Sequence, residues 1–452
     1  MPLTSLPNEL LDNLVDRVAH TAPESLKALA LVSRYFLHRC RYHLFQTIRL
    51  SGGSSEATQI RKKFEASPTL FKYPRNLSIT HCFDFFLYED FALDGEKGFL
   101  RMVDQLDNLR NLDIIDEEHP DSVPHWNEMS EVLQAVYRKL LSHPLIHLSI
   151  SLPKGFPGHF ISSILTLQEL NIDDVTDSLG GGSAADVGSS NLHWGLKTLQ
   201  FCHRGAYPTS LLRNMQGSLL ERLTRLTLDI TTIGGHLFAW SKFLPACRSQ
   251  LLTLTMRYTG PTSRYPGGNG QNIVSAALVD VTAHARPFPS FPRLLHLRVE
   301  LHSFNDSRDP LQNPEYPYIT PSFQTLFLYS ILGGQSVRRS LITLDINLNW
   351  TSSSRLNPRE ALRTVQDRGW VQVDGALSSE EIFPDLIAVR IHTAVRVGGR
   401  LFMSYDDHAS QVITGLRVQA TTALEKTQGR LRVLDVGDEV THLRFNELVC
   451  SR

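Results

Sequence analysis

A six-residue phrase, L-x-x-L-x-[L/I/V/M/F], recurs twelve times between residues 74 and 436. Examples are LRNLDI at 109–114, LIHLSI at 145–150, LTRLTL at 223–228, LLHLRV at 294–299, FQTLFL at 323–328, LITLDI at 341–346 and LRVLDV at 431–436. A repeat of this kind outranks every other feature, because each copy is a unit that buries its apolar face only by stacking on the next. Steps between successive middle positions run from 18 to 45 residues. A hairpin turn takes only about 2–5 residues, so these connections fit parallel strands joined by long crossovers.

Several crossovers read as helices. In 127–142, Val132, Leu133, Val136, Tyr137, Leu140 and Leu141 form one apolar stripe at helical spacing. The segment 357–369 offers Asn357 as a cap with Pro358 and Glu360 behind it, and 408–428 ends before Gly429. Within each strand the middle and last apolar residues are two apart and point into a core, and the residue between them faces outward. The fold class expected is therefore α/β: a solenoid with parallel strands on a concave face and helices or loops on the convex one.

Residues 74–436 resemble irregular leucine-rich repeat domains. Regular repeats place Asn or Cys three residues after the last apolar position. Cys82 and Asn349 fit that slot, whereas Glu117, Val175, Arg204 and Ala394 do not. The resemblance implies that the outward strand residues bind a protein target. Asp113, Arg298, Phe327, Tyr329, Asp345 and Arg390 are the candidates, with the aromatic pair as the best anchor. Segments 116–127, 177–191, 259–272 and 302–321 read as surface insertions, and the Gly/Ser-rich stretch 177–191 as disordered.

The first fifty residues lack the phrase. Pro7 suits a first helical turn, with Leu10, Leu11, Leu14, Val15 and Val18 following at helical spacing. A break at 20–23 precedes a second helix, and Ser33 can cap a third that carries Phe36, Leu37 and Cys40. About 40 residues of helix cannot close their own core, so part of their apolar surface needs an outside cover. LPNELL at 6–11, LVSRYF at 31–36 and HLF at 43–45 resemble the F-box, the helical module by which substrate adaptors of SCF ubiquitin ligases dock on a Skp-family linker. Ser33 stands where many members have Cys, and Phe36 and Phe45 where many have Trp. The resemblance implies that Leu6, Pro7, Leu10, Leu29, Val32, Phe36 and Leu44 form the Skp-facing surface or its support. Two domains are expected, 1–50 and 51–452. A helical cap on the solenoid is the structural alternative for these helices.

Chemistry leaves little trace. The chain contains no G-x-S-x-G, H-E-x-x-H, P-loop or C-x-x-C pattern, so neither an enzyme nor a cofactor is expected. The loop carrying Asp116, Glu117, Glu118, His119 and His125, and the cluster Asp406, Asp407 and His408, read as solvated charge rather than metal ligands. With 45 basic and 46 acidic side chains, no global field draws nucleic acid or anionic membrane. Five scattered cysteines and a start without a basic leader point to the cytoplasm or nucleus. The expected function is a substrate-recognition adaptor of an SCF-type ubiquitin ligase: a monomer within a complex holding a Skp-family linker, through it a cullin, and a protein target. The alternative is a non-catalytic binding or scaffold protein.

Overall fold

The computed structural model describes residues 7–50, 54–80, 94–115, 124–153, 155–157, 159–174, 195–203, 220–230, 243–259, 289–305, 328, 331–332, 340–352, 369–398, 422, 424–431 and 433–443. They form two compact units, Met1–Leu196 and Lys197–Arg452. The N-terminal helices lie within the first unit.

The first unit opens with α1 (Asn8–Thr21), α2 (Leu26–Val32) and α3 (Arg34–Phe45), followed directly by β1 (Thr47–Leu50). Then come α4 (Ser54–Ala66), β2 (Asn76–Thr80), α5 (Asp94–Asp104), β3 (Asn111–Ile115), α6 (Glu131–Leu141), β4 (His147–Leu152), the single turn α7 (His159–Ser162) and β5 (Glu169–Asp174). The five strands pair in parallel and in chain order. In register, Ile48, Leu77, Leu112, Leu148 and Leu170 stack in one buried row, and Leu50, Ile79, Ile114 and Ile150 in the next. The intervening side chains face the other way and bond across strands: Asn76 donates to Thr47 Oγ1 at 3.0 Å, and Asn111 to Asn76 Oδ1 at 2.7 Å.

Helix α6 shows why the crossovers fold locally. Ser130 Oγ accepts from the Leu133 N–H at 3.1 Å, satisfying one of the helix's orphan donors. Leu133, Val136, Tyr137, Leu140 and Leu141 are all buried at helical spacing. The expected start at 127 is instead a 3-10 turn at Trp126–Glu128. Its buried Trp126 meets Tyr137 and Phe156 edge-on at 5.8 and 5.1 Å. Part of the expected 116–127 insertion is therefore core.

The second unit contains β6 (Thr198–His203), β7 (Arg225–Ile230), the short α8 (Leu244–Cys247), β8 (Thr253–Thr259), β9 (His296–Asn305), β10 (Thr343–Ser352), α9 (Gly369–Leu377), β11 (Ala388–Gly398), α10 (Glu425–Arg430) and β12 (Val433–Leu443). Its seven strands again pair in parallel and in chain order. Leu199, Leu226, Leu254, Leu297, Leu344 and Val389 share one buried register row.

One device repeats at the strand entries. The carbonyl of the residue before a strand accepts from two successive N–H groups of the next repeat. Lys197 takes Thr224 and Arg225 in this way, and Leu252 takes Leu295 and His296. This fixes each register at its start.

Eleven of the twelve phrases are strands; of FQTLFL at 323–328 only Leu328 lies among the described residues. Leu328 is helical, as are Ile331 and Leu332, and all three are buried. Spacing of i, i+3 and i+4 is a helical period, consistent with the helical state of these three residues. Phe327 and Tyr329 lie outside the described residues, as do the insertion 177–191 and most of 259–272. Of the 302–321 segment, residues 302–305 extend β9. The expected 357–369 helix lies outside the described residues save Gly369, the first residue of α9, and most of the expected 408–428 helix lies outside them too; α10 runs through Gly429 to Arg430.

Candidate partner-docking surface

The three N-terminal helices close a small core of Leu11, Val15, Leu26, Phe36 and Cys40, with Leu29 and Leu44 partly buried against it. Burial raises the Cys40 thiol pKa, in keeping with a packing role. Pro7 is the cap of α1: its carbonyl accepts from the Leu10 and Leu11 N–H groups at 3.0 and 3.2 Å. Ser33, extended between α2 and α3, caps α3 by accepting from the Tyr35 N–H at 3.3 Å.

Asp16 ties α1 to α3. It accepts from Arg39 Nε and an Arg39 terminal nitrogen at 2.6 and 2.7 Å, and its first oxygen lies 2.7 Å from His43 Nε2. The hydrogen bond from the Arg39 guanidinium holds the Asp16 carboxyl well below the usual carboxylate range. Ring contacts join α3 to the chain that follows. His38 meets Tyr73 at 5.5 Å, Phe45 meets Phe64 at 6.2 Å, and the Arg75 guanidinium lies over Tyr42 at 5.1 Å.

Outside this core, five large apolar side chains of α1–α3 stay in solvent. Leu10 and Leu14, one turn apart on α1, are 51% and 40% exposed; Leu31 and Val32 at the end of α2 are 88% and 69%; Tyr35 at the start of α3 is 64%. Of the residues singled out from sequence, Pro7, Leu10 and Val32 are exposed, Leu29 and Leu44 half-buried, and Phe36 buried at 3% exposure. Phe36 is thus support, not contact surface. Leu6 lies outside the described residues. Sequence reading missed Leu14, one turn on from Leu10, and Leu31 and Tyr35, both inside the quoted LVSRYF. The signal for the last two was position: both flank the α2–α3 break.

The outward row of the sheet falls where the strand alternation puts it. Asp113 aligns with Ser78, Ser149 and Asn171 in the first unit; Arg298, Asp345 and Arg390 align in the second. His147, not singled out from sequence, bridges two carboxylates here, with Nε2 3.3 Å from Asp113 and Nδ1 3.2 Å from Glu169. The hydrogen bond to Asp113 leads the causes that raise its pKa.

Among the described residues, no group of three His, Cys, Asp or Glu side chains is arranged to hold a metal ion. The expected acidic clusters 116–119 and 406–408 lie outside those residues, and His125 is exposed. Cys247 is buried, and burial pushes its thiol up to about 12, so it packs and does not react. Among the described residues, no helix is long and apolar enough to cross a membrane. Compared with protein-family models and with curated proteins, the chain matches none.

Proposed function

We propose that the chain is a substrate-recognition adaptor of an SCF-type ubiquitin ligase. In this reading α1–α3 are an F-box that docks on a Skp-family linker, and the outward sheet face receives a protein target. The observation that carries it is that α1–α3 bury a small core and still leave Leu10, Leu14, Leu31, Val32 and Tyr35 exposed. Surplus apolar surface of this kind on a small helical unit is what a protein interface covers. The chain itself performs no chemistry. It raises the concentration of a target beside the ubiquitin-loading machinery.

The scaffold reading draws on a different observation. The contacts of His38 with Tyr73 and of Phe45 with Phe64 tie α3 to the turn before β2 and to α4, as a structural cap would be. A paired pulldown from cell extract separates the two. Wild type should bring down a Skp-family protein and a cullin, and Leu10→Asp/Leu31→Asp should lose both while keeping any target held by the sheet. Capture of no Skp-family protein by wild type leaves the scaffold reading.

A further inference from the structure

The connection from α9 to β11 carries the sequence SSEE at 378–381. All four residues lie outside helix and strand, and Glu380 and Glu381 are exposed. Among the described residues no cation pairs with either glutamate. Of the described serines and threonines, Ser378 alone has acidic side chains both two and three residues further on. Its neighbour Ser379 has Ile382 at the third position instead.

The Ser378 hydroxyl stands at an open place. It donates to the Gly375 carbonyl at 3.3 Å, a long bond in an exposed setting. Gly375 is itself exposed, and a methyl group added there would meet nothing beyond its own helical turn within 4 Å. A bulky substituent on the hydroxyl therefore has room. The backbone of the segment is held by single turn bonds. The Ser378 N–H donates to the Asp374 carbonyl at 2.9 Å, that of Ser379 to Ala376 at 3.2 Å, and that of Phe383 to Ser379 at 3.0 Å. Ser379 Oγ adds a 3.4 Å bond from the Ile382 N–H. Phe383 is fully buried and marks where the core resumes. Residues 378–382 can thus open into an extended form at the cost of these few bonds.

Arg430 of α10 spans the same segment. Its guanidinium donates to the Leu377 carbonyl at 2.8 Å and to that of Phe383. The first of these belongs to the peptide bond that joins Leu377 to Ser378. Among the described residues Arg430 has carbonyl partners and no carboxylate.

We propose that Ser378 is a phosphorylation site for an acidophilic serine/threonine protein kinase, and that Arg430 receives the phosphate. In the transfer the Ser378 oxygen bonds to the γ-phosphorus of ATP, the bond to the β–γ bridging oxygen breaks, ADP leaves, and the hydroxyl proton passes to the kinase's base. Glu380 and Glu381 select a kinase with basic substrate subsites and repel one with acidic subsites. The product carries about −1.5 to −2 charge and three acceptor oxygens. For Arg430 it is a charged acceptor in place of neutral carbonyls, and charge-assisted bonds are the stronger kind. Phosphorylation thereby tightens the connection between α9 and α10.

The test is phosphorylation of the purified full-length chain by an acidophilic kinase with ATP, located by tandem mass spectrometry. A basophilic kinase is the control. Phosphate should appear on Ser378, be lost from this segment in Ser378→Ala, and persist in Ser379→Ala. Glu381→Gln, at an exposed position that leaves the fold intact, should slow labelling about fivefold or more. Hydrogen exchange of the phosphorylated chain over 378–383 and α10 should be slower than in the unmodified chain. Labelling of Ser378 only after the chain is unfolded, an unchanged rate in Glu381→Gln, or faster labelling by the basophilic kinase overturns the assignment of the site. Unchanged or faster exchange over α10 overturns the role of Arg430. The assay contains no Skp-family protein, so neither result bears on the docking of the N-terminal helices.

Discussion

Asp16 in α1 and Arg39 in α3 form a two-pronged ion pair, with both carboxylate oxygens accepting from one guanidinium at 2.6 and 2.7 Å. It pins two helices that enclose little core. The Asp16 pKa is depressed in the folded chain, so its contribution is present above the unfolded value of about 3.9 and is lost as pH falls through the folded value. Both side chains are about a third exposed, and solvent screening limits the pair to about 1 kcal/mol. Asp16→Asn should lower the thermal midpoint of the N-terminal helices at pH 7. The gap from wild type should shrink as the pH is taken below about 4, followed by circular dichroism melts.

His147 has the opposite sign. Its pKa is raised by Asp113 and then Glu169, so its contribution is full below the unfolded value of about 6.5 and disappears as pH rises through the folded value. The imidazole should titrate above that unfolded value by NMR, and Asp113→Asn should bring it down. An unchanged midpoint in Asp113→Asn would show that the bridge does not form.

Phe36 and Leu31 lie five residues apart and should behave in opposite ways. Phe36→Ala opens a cavity in the helical core and should cost about 3 kcal/mol. Leu31→Asp, at 88% exposure, should stay within about 0.5 kcal/mol of wild type. Denaturant melts of the two variants make the comparison.

In the second unit, buried Asp374 on α9 accepts from the Thr427 N–H at 2.9 Å and from its hydroxyl at 2.7 Å. Arg430 donates to the Leu377 carbonyl at 2.8 Å and to that of Phe383. This clip joins α9 to α10. Asp374→Ala strands two buried donors and should cost about 2–4 kcal/mol, and Thr427→Val less. Hydrogen exchange over α10 should speed up in both.

Strand identity was legible because a strand that buries one side needs only two apolar residues at spacing two, even where it runs on for 10 or 11 residues as β9–β12 do. FQTIRL at 45–50, which becomes β1, is the same phrase with Phe and Ile in the Leu slots, and it was readable in hindsight. At the 323–328 copy the only described residue, Leu328, is helical, and the phrase alone could not signal it because the helical period shows only with Ile331 and Leu332 beyond it. The docking surface was legible as a region and not residue by residue. Helix α2, LKALALV, is apolar on nearly every side, so which of its leucines turns inward depends on how α1 and α3 cross it. The Arg257–Glu300 ion pair was beyond reach, since its two residues meet at 3.2 Å only once β8 and β9 are in register.

The central claim is that the apolar side chains outside the helical core exist to be covered by a Skp-family linker. Titration calorimetry of purified Skp-family linker into the purified full-length chain tests it most directly. The account predicts saturable one-to-one binding, weakened at least thirtyfold by Leu31→Asp, equivalent to about 2 kcal/mol, with the melt of the variant unchanged. Absence of binding by wild type, or equal affinity in wild type and Leu31→Asp, contradicts it.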